Sequence, residues 1–407
     1  MKYQAYQAYA GMMAPIRQFA QLAISAISHP AVLACPGMRQ LHAAHEVLSS
    51  GVLTHARPEF GIDQVSVGAG RGSRPVAVHE EVTNVTPFAT LLHFRKEGVE
   101  GQPRVLIVAP MSGHFASRLH GMVRAMLAGH DVYVTDWHNA RDVPLGAGRF
   151  GLDEYIQHLL SFLEAIGPGG HIVAVCQACI GALAATALMA EDSHPAQPRS
   201  LTLMAGPIDP RVNPTMLNKL AADTPLEWFE HNLISTVPLG YRGALRRVYP
   251  GFLQLATLMS HNVERHIASF NQLYQELLEG DPARAVSIRT FHEQYFAVLD
   301  LAAEFYLETV QDVFQAATLP HGKFKWKGRA VRPEAIRHTA LLTVEGQRDD
   351  VCPAGQTRAA HRLCGAAPHV LRRHFALAGG GHEDVFSGRC WTKRIYPLVR
   401  DTIRSSR

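Results

Sequence analysis

The run His171-Ile172-Val173-Ala174-Val175 passes without a polar break into Cys176-Gln177-Ala178-Cys179-Ile180-Gly181 and then into Ala182-Leu183-Ala184-Ala185-Thr186-Ala187-Leu188. The first part is a β-branched apolar strand and the last a stretch of good helix formers. Only small residues stand at the junction, as a sharp strand-to-helix reversal demands where backbone crowds backbone. An uninterrupted apolar strand must be covered on both faces, which directs the chain towards a parallel sheet with helices on either side.

The rest of the sequence agrees with that constraint. Val76 to Val82 and Ala89 to Phe94 are expected as early strands, and Val105 to Ala109 as a buried one followed by the turn Pro110-Met111-Ser112-Gly113-His114. A helix through Leu119, Met122, Val123 and Leu127 leads to a strand over Asp131 to Trp137. An amphipathic helix from Tyr155 to Ile166 is stopped by Gly167-Pro168-Gly169-Gly170. Ser200 to Ala205 is the next strand. The order predicts an α/β fold with a mostly parallel, doubly wound sheet.

From 208 to 339 the periodicity becomes helical, with Leu217 to Leu220, Trp228 to Ile234, Phe252 to Met259, Ile267 to Leu278 and Phe291 to Phe314 as expected helices and no strong strand between them. Such an insertion predicts a helical cap or lid. Strands resume at Ala340 to Val344 and Val370 to Leu377, and a helix through Trp391, Ile395, Leu398, Val399 and Ile403 closes the chain. The expected organisation is an N-terminal segment 1–50, a first part of the core 51–207, the cap 208–339 and a second part of the core 340–407.

Hydrophobic residues at 47% against 18% charged ones support a large core, and a net charge of +4 on 407 residues argues against a nucleic-acid partner. Six cysteines are too few for a disulfide framework and predict a reduced, cytoplasmic protein. No stretch of about 20 apolar residues predicts a transmembrane span. Residues 1–27 carry only Lys2 and Arg17 as charges and place Met12, Met13, Ile16, Phe19, Leu22, Ile24 and Ile27 at helical spacing. Gln4, Gln7, Gln18 and Gln21 interrupt what would otherwise pass for a signal peptide. An amphipathic helix is expected there, packed on the body or adsorbed to an apolar particle.

Chemistry-bearing residues follow the strands. Cys176 and Cys179 stand at the strand-to-helix turn, Asp349 and Asp350 follow the strand ending at Val344, and His382 follows Gly379-Gly380-Gly381 beyond the last strand. A thiol with an ordinary pKa near 8.5 is mostly protonated at neutral pH, so it needs an imidazole to take its proton and a carboxylate to orient that imidazole. Nucleophile, acid and histidine occur in the chain order of the α/β-hydrolases, each beyond a strand's carboxyl end. Neither cysteine is singled out by this order alone. Ala174 and Ala178 flank Cys176 with small residues, while Cys179 allows a longer strand. A Cys-x-x-Cys half-site without a second ligand pair predicts no metal.

The sequence resembles the intracellular polyhydroxybutyrate (PHB) depolymerases, α/β-hydrolases that place cysteine at the nucleophile position. The strings that carry the resemblance are Val108-Ala109-Pro110-Met111-Ser112-Gly113-His114, Val132-Tyr133-Val134-Thr135-Asp136-Trp137, Val175-Cys176-Gln177, Gly206-Pro207-Ile208-Asp209, Val248-Tyr249-Pro250-Gly251-Phe252, Gly355-Gln356-Thr357 and Val385-Phe386-Ser387-Gly388-Arg389. The chain departs from the family at Ala178-Cys179-Ile180-Gly181, with its second thiol, and at Glu383-Asp384, two acids beside the histidine. The family's Val-Cys-Gln implies Cys176 as nucleophile, with Cys179 in the first turn of the helix.

Asp349, four before Pro353, is expected as the acid in preference to Asp350, and His382 as the base in preference to His361, His369 and His374. Backbone N–H groups of Gln177 and of Met111 or Ser112, with Met111 preferred, are the expected oxyanion donors. The resemblance implies cleavage of amorphous poly(3-hydroxybutyrate) through a cysteinyl thioester on cytoplasmic storage granules, with an apolar polyester surface as partner, no cofactor and a homodimer allowed. Thiolysis by coenzyme A is a variant of that chemistry. Two other functions remain open on the sequence: a polymer-synthase-like acyltransferase and a non-catalytic granule-coat protein.

Overall fold

Strands without polar alternation form the middle of one large sheet in the computed structural model, which describes residues 35–68, 72–261, 263–365 and 367–406 together with Tyr3, Tyr6, Leu22 and His29. Helix α1 (Pro36–Ser50) precedes strands β1 (Gln64–Val67), β2 (Arg74–Val85), β3 (Ala89–Lys96) and β4 (Arg104–Val108). Helix α2 (His120–Leu127), β5 (Asp131–Trp137), α3 (Leu152–Ile166), β6 (His171–Val175), α4 (Ala178–Glu191) and β7 (Ser200–Met204) continue the alternation. Every residue of β6 and β7 is buried, as an apolar run covered on both faces must be. Helix α4 is apolar all round because it is enclosed, with Ala178 to Met189 buried without interruption. Gly167, in the left-handed region at φ 82°, ends α3 where the glycine-rich stop was expected.

The described chain between β7 and the next strand of this sheet is mainly helical. It carries α5 (Met216–Asp223), α6 (Leu226–Leu233), α7 (Gly251–His261), α8 (Val263–Glu279), α9 (Pro282–Tyr295) and α10 (Ala303–Glu308). One expectation fails here. Phe291 to Phe314 is not one helix: α9 ends at Tyr295, and Leu301–Ala302 pairs antiparallel with Arg247–Tyr249, which also pairs with Ser235–Thr236. Strands of two or three residues are too short to produce an alternation, so the apolar spacing of the helices on either side masks them.

Strands β8 (Ala340–Gly346) and β9 (Arg372–Leu377), the short helix α11 (Ala360–Leu363) and the closing helix α12 (Tyr396–Ser405) complete the fold. In the large sheet, strands β1 and β2, β2 and β3, and β3 and β5 pair antiparallel. From β5 through β4, β6, β7 and β8 to β9 all pairs are parallel. That is the strand order of the α/β-hydrolase fold with one extra edge strand. Strand order reverses between β4 and β6, so the crevice outside the carboxyl ends of those two strands is where such a sheet places its ligand.

The cap-side backbone is tied directly to that crevice. Leu299 N–H donates to Gly113 O at 2.9 Å, and His114 bridges Val298. Asp300, fully buried, accepts from Gly251 N–H at 2.8 Å and from the Tyr3 hydroxyl at 2.8 Å, while its own N–H donates to Asn139 Oδ1 at 3.0 Å. One residue thus joins the N-terminal segment and the helical insertion through its carboxylate, and the loop after β5 through its backbone N–H. The helix expected over residues 1–27 lies outside the described residues except at Tyr3, Tyr6 and Leu22. Among the described residues no helix is long and apolar enough to cross a membrane.

Candidate active site

Register brings the ends of five parallel strands to one rim: Val108 is level with Ala174, Val175 with Met204, Met204 with Val344, and Gly346 with Leu377. Cys176 follows β6 immediately and sits at φ 56°, a left-handed conformation that a non-glycine residue adopts only when its surroundings impose it. Its N–H donates to Met204 O at 2.8 Å, and its carbonyl accepts from Cys179 N–H at 3.1 Å, starting helix α4. Gly206, just beyond the end of β7, leaves room for this turn. A Cβ there would stand 2.7 Å from the Cys176 carbonyl oxygen and would overlap the Cys179 side chain.

The two thiols have different surroundings. Cys176 is half-buried and lines a cavity of about 460 Å³ together with His382. Cys179 is fully buried, and its Sγ donates to Ala174 O at 3.4 Å and Met204 O at 3.6 Å. Burial, with Cys176 as a second contribution, pushes the Cys179 thiol well above the usual thiol range, so it stays a protonated donor inside the first turn.

Asp349 and His382 come from separate loops that are fastened to one another. Gln347 N–H donates to Leu377 O at 3.1 Å and Arg348 N–H to Gly380 O at 2.9 Å. The approach is so close that a Cβ on Gly346 would meet Gly380 O at 2.6 Å. His382 Nδ1–H then donates to Asp349 Oδ2 at 2.8 Å, and Asp349 Oδ1 accepts from Val351 N–H at 2.9 Å and Cys352 N–H at 2.7 Å. All three of these bonds to the carboxylate come from N–H donors. Asp350 is exposed and lines the cavity rim, in a position unlike that of Asp349.

Burial alone would lower the affinity of His382 for a proton. The nearby Cys176 sulfur and then Asp349 outweigh burial and hold the imidazole pKa well above its ordinary value. The arrangement stabilises a charged imidazolium between a sulfur and a carboxylate. His361 and His374 are elsewhere, both hydrogen-bonded to Thr343 Oγ1 inside the sheet, and His369 lies in the turn before β9.

The expected oxyanion donors flank the same sulfur. Gln177 follows Cys176 directly, and Met111 lies between Pro110 and Ser112, both of which line the cavity. Among the described residues neither the Gln177 nor the Met111 N–H is paired with a backbone carbonyl. The Gln177 side chain reaches the insertion, donating from Nε2 to Thr309 Oγ1 at 3.1 Å.

Several cavity residues were given no role by the sequence. Tyr249, Gln254 and Tyr295 bring the helical insertion over Cys176, and Arg118 forms an ion pair with Glu383, the residue after His382. Arg118 also lies over the Tyr295 ring, 4.6 Å from its centre. Asp384 Oδ2 accepts from Gly381 N–H at 2.9 Å, so the two acids beside the histidine fasten its loop. The string around Tyr249 and the two acids Glu383 and Asp384 stand out in the sequence, whereas Arg118, Gln254 and Tyr295 do not. His114 is buried with Nε2 3.1 Å from Tyr295 O; burial and then Arg118 push its pKa down to about 3, leaving a neutral ring in the wall.

A larger hollow of about 580 Å³ beside His138, Asp142 and Arg242 contains neither cysteine nor the Asp349–His382 pair, so size alone does not locate the site. Among the described residues no group of three or more His, Cys, Asp or Glu side chains is arranged to hold a metal ion.

Residues 205–407 match the family model described as PHB de-polymerase C-terminus. No curated protein matches the chain. Among solved structures, the monoacylglycerol lipase of Paleococcus ferrophilus is 15% identical, with 75% of this chain and 97% of that one covered at a TM-score of 0.44. The meta-cleavage product hydrolase of Pseudomonas fluorescens IP01 is 16% identical over 78% of this chain and 96% of its own, at a TM-score of 0.44. A putative lipase of Acinetobacter baumannii AYE is 13% identical over 81% and 93%, at 0.41.

Proposed function

This chain belongs to the PHB depolymerase family through residues 205–407, and from that premise we propose that it depolymerises amorphous poly(3-hydroxybutyrate) of intracellular storage granules to hydroxybutyrate monomers and oligomers. The coarser statement, that it is a hydrolase of esters, follows from the family itself. The observation that supports the thioester chemistry of this reading is the position of His382, which lines one cavity with Cys176 and is hydrogen-bonded through Nδ1 to Asp349.

Cys176 thiolate adds to an ester carbonyl of the polymer, and the oxyanion is met by the N–H groups of Gln177 and Met111. Collapse breaks the C–O bond, and the departing alkoxide takes the proton of the His382 imidazolium. This leaves a thioester and a new hydroxyl chain end. In the second half-reaction neutral His382 removes a proton from water, which adds to the thioester carbonyl. Breaking the C–S bond returns the thiolate and releases a carboxylic acid. Asp349 keeps Nδ1–H turned inward, so that Nε2 faces the sulfur and the ester.

The cavity suits such a substrate. Its volume is in the range of small-molecule sites, and the side chains of Phe115, Leu119, Tyr249, Tyr295 and Phe386 give it apolar walls. Hydroxyacid release from amorphous granules, measured for wild type, Cys176→Ser and Cys179→Ser, tests the reading. Loss with Cys176→Ser and retention with Cys179→Ser are expected. Loss confined to Cys179→Ser overturns the nucleophile, and full degradation by a Cys176→Ala, Cys179→Ala double variant overturns the enzyme. Release of coenzyme A with polymer growth, when 3-hydroxybutyryl-CoA is offered, establishes a synthase in its place.

A further inference from the structure

Away from Cys176, on the outer flank of the sheet, Arg358, His361, His369, Arg372 and His374 line a cavity of about 310 Å³. No carboxylate lines it. Arg372 and His374 alternate with Arg373 along the edge strand β9, so the pleat turns the first two towards the cavity and Arg373 away from it. Arg358 and His361 come from the loop and short helix α11 after β8, and His369 from the turn before β9.

The two guanidiniums of this cavity have no carboxylate partner among the described residues. Among the described residues neither Arg358 nor Arg372 forms an ion pair. Arg372 Nη1 donates to His361 O at 3.2 Å, and its Nε is buried without a hydrogen-bond partner. Glu345 approaches His374 Nε2 at 3.8 Å, but its two oxygens already accept Gly355 N–H at 2.9 Å and Arg358 N–H at 2.7 Å. The two inner rings are held in place by buried Thr343, whose Oγ1 is 2.8 Å from His361 Nε2 and 2.9 Å from His374 Nδ1.

We propose that this cavity is a binding site for a phosphate-bearing anion. Two guanidiniums without a carboxylate partner match the double charge of a phosphate better than the single charge of a carboxylate, and the imidazoles supply further donors to its several oxygens. Mutual repulsion supports the assignment. Burial first, then His374, Arg372 and Arg358, push the His361 pKa down to about 4, a penalty that a bound anion relieves. The site is independent of the esterase chemistry, although the same loop that supplies Arg358 also carries Asp349.

Calorimetric titration of the full-length protein with inorganic phosphate, with pyrophosphate and with a nucleoside triphosphate, at constant ionic strength, tests it and separates the sources of the phosphate group. Saturable binding of at least one probe is expected, weakened about tenfold or more in Arg358→Gln and in His369→Gln. Arg373→Gln, which removes the same charge from the other face of β9, is expected to leave the affinity within about twofold, because only its bulk field is lost. Ester hydrolysis by all three variants at the wild-type rate shows that they are folded. Absence of saturable binding by any phosphate probe overturns the site, as does equal weakening by Arg373→Gln. Tighter binding of 3-hydroxybutyrate than of every phosphate probe overturns the ligand class.

Discussion

His382 and Asp349 meet at 2.8 Å although 33 residues separate them, because the loops that bear them are hydrogen-bonded to one another before either side chain is reached. The pairing is therefore a property of the backbone at the ends of β8 and β9. Side-chain substitution at Asp349 removes the charge and leaves the loops in place.

Asp349→Asn is accordingly expected to act through the imidazole. Asp349 is one of the groups that raise the pKa of His382, so its loss lowers that pKa and the imidazolium is given up at lower pH. Proton donation to the leaving alkoxide then fails earlier as pH rises. Rate profiles against a soluble hydroxybutyrate ester are expected to show the basic limb moved to lower pH, with kcat reduced on the order of a hundredfold or more. A uniform fall with an unmoved basic limb would show that Asp349 does not act on His382.

The positions of Cys176, Asp349 and His382 were legible because each lies just beyond a strand whose apolar run is hard to mistake. The choice between the two thiols was not legible from small neighbours alone. It depends on which residue adopts φ 56° and which is enclosed, and the close approach that both require is open only because Gly206, beyond the end of β7, has no side chain. Tyr249 enters the cavity from a three-residue strand that leaves no periodic trace, and Tyr295 from the last residue of α9, where the expected helix ran on without a break. The Arg118–Glu383 pair joins positions 265 apart, and nothing in the local sequence of Arg118 announces it.

Gly206→Ala is expected to damage both stability and activity. The added methyl group meets the Cys176 carbonyl oxygen at 2.7 Å and the Cys179 side chain, and neither has room to withdraw. Overpacking of this kind costs about 1–3 kcal/mol. Denaturant unfolding is expected to register that loss, and ester hydrolysis to fall further than stability explains, because the turn holding Cys176 has to move. Wild-type kinetics in a folded Gly206→Ala protein would show that the turn tolerates the shift.

Acid is expected to destabilise the protein through His114. Its pKa is about 3 in the folded chain against an ordinary 6.5, so the unfolded chain takes up a proton first as pH falls. The stability that the neutral ring contributes is fully present above about pH 6.5 and is lost progressively as pH drops towards 3. In His114→Gln the melting temperature is expected to fall less steeply between neutral pH and pH 5 than in wild type. His292 and His361, both lowered to about 4, maintain a residual slope of the same sign. Parallel curves for wild type and variant would remove His114 from the account.

The left-handed backbone at Cys176 means that the protein keeps a stability reserve it cannot use. A side chain at φ 56° costs on the order of 1 kcal/mol that glycine does not incur. Cys176→Gly is therefore expected to melt at or above the wild-type temperature while being inert towards esters. A chain that becomes sturdier when its reactive atom is deleted would mark Cys176 as a position held for chemistry against the preference of the fold.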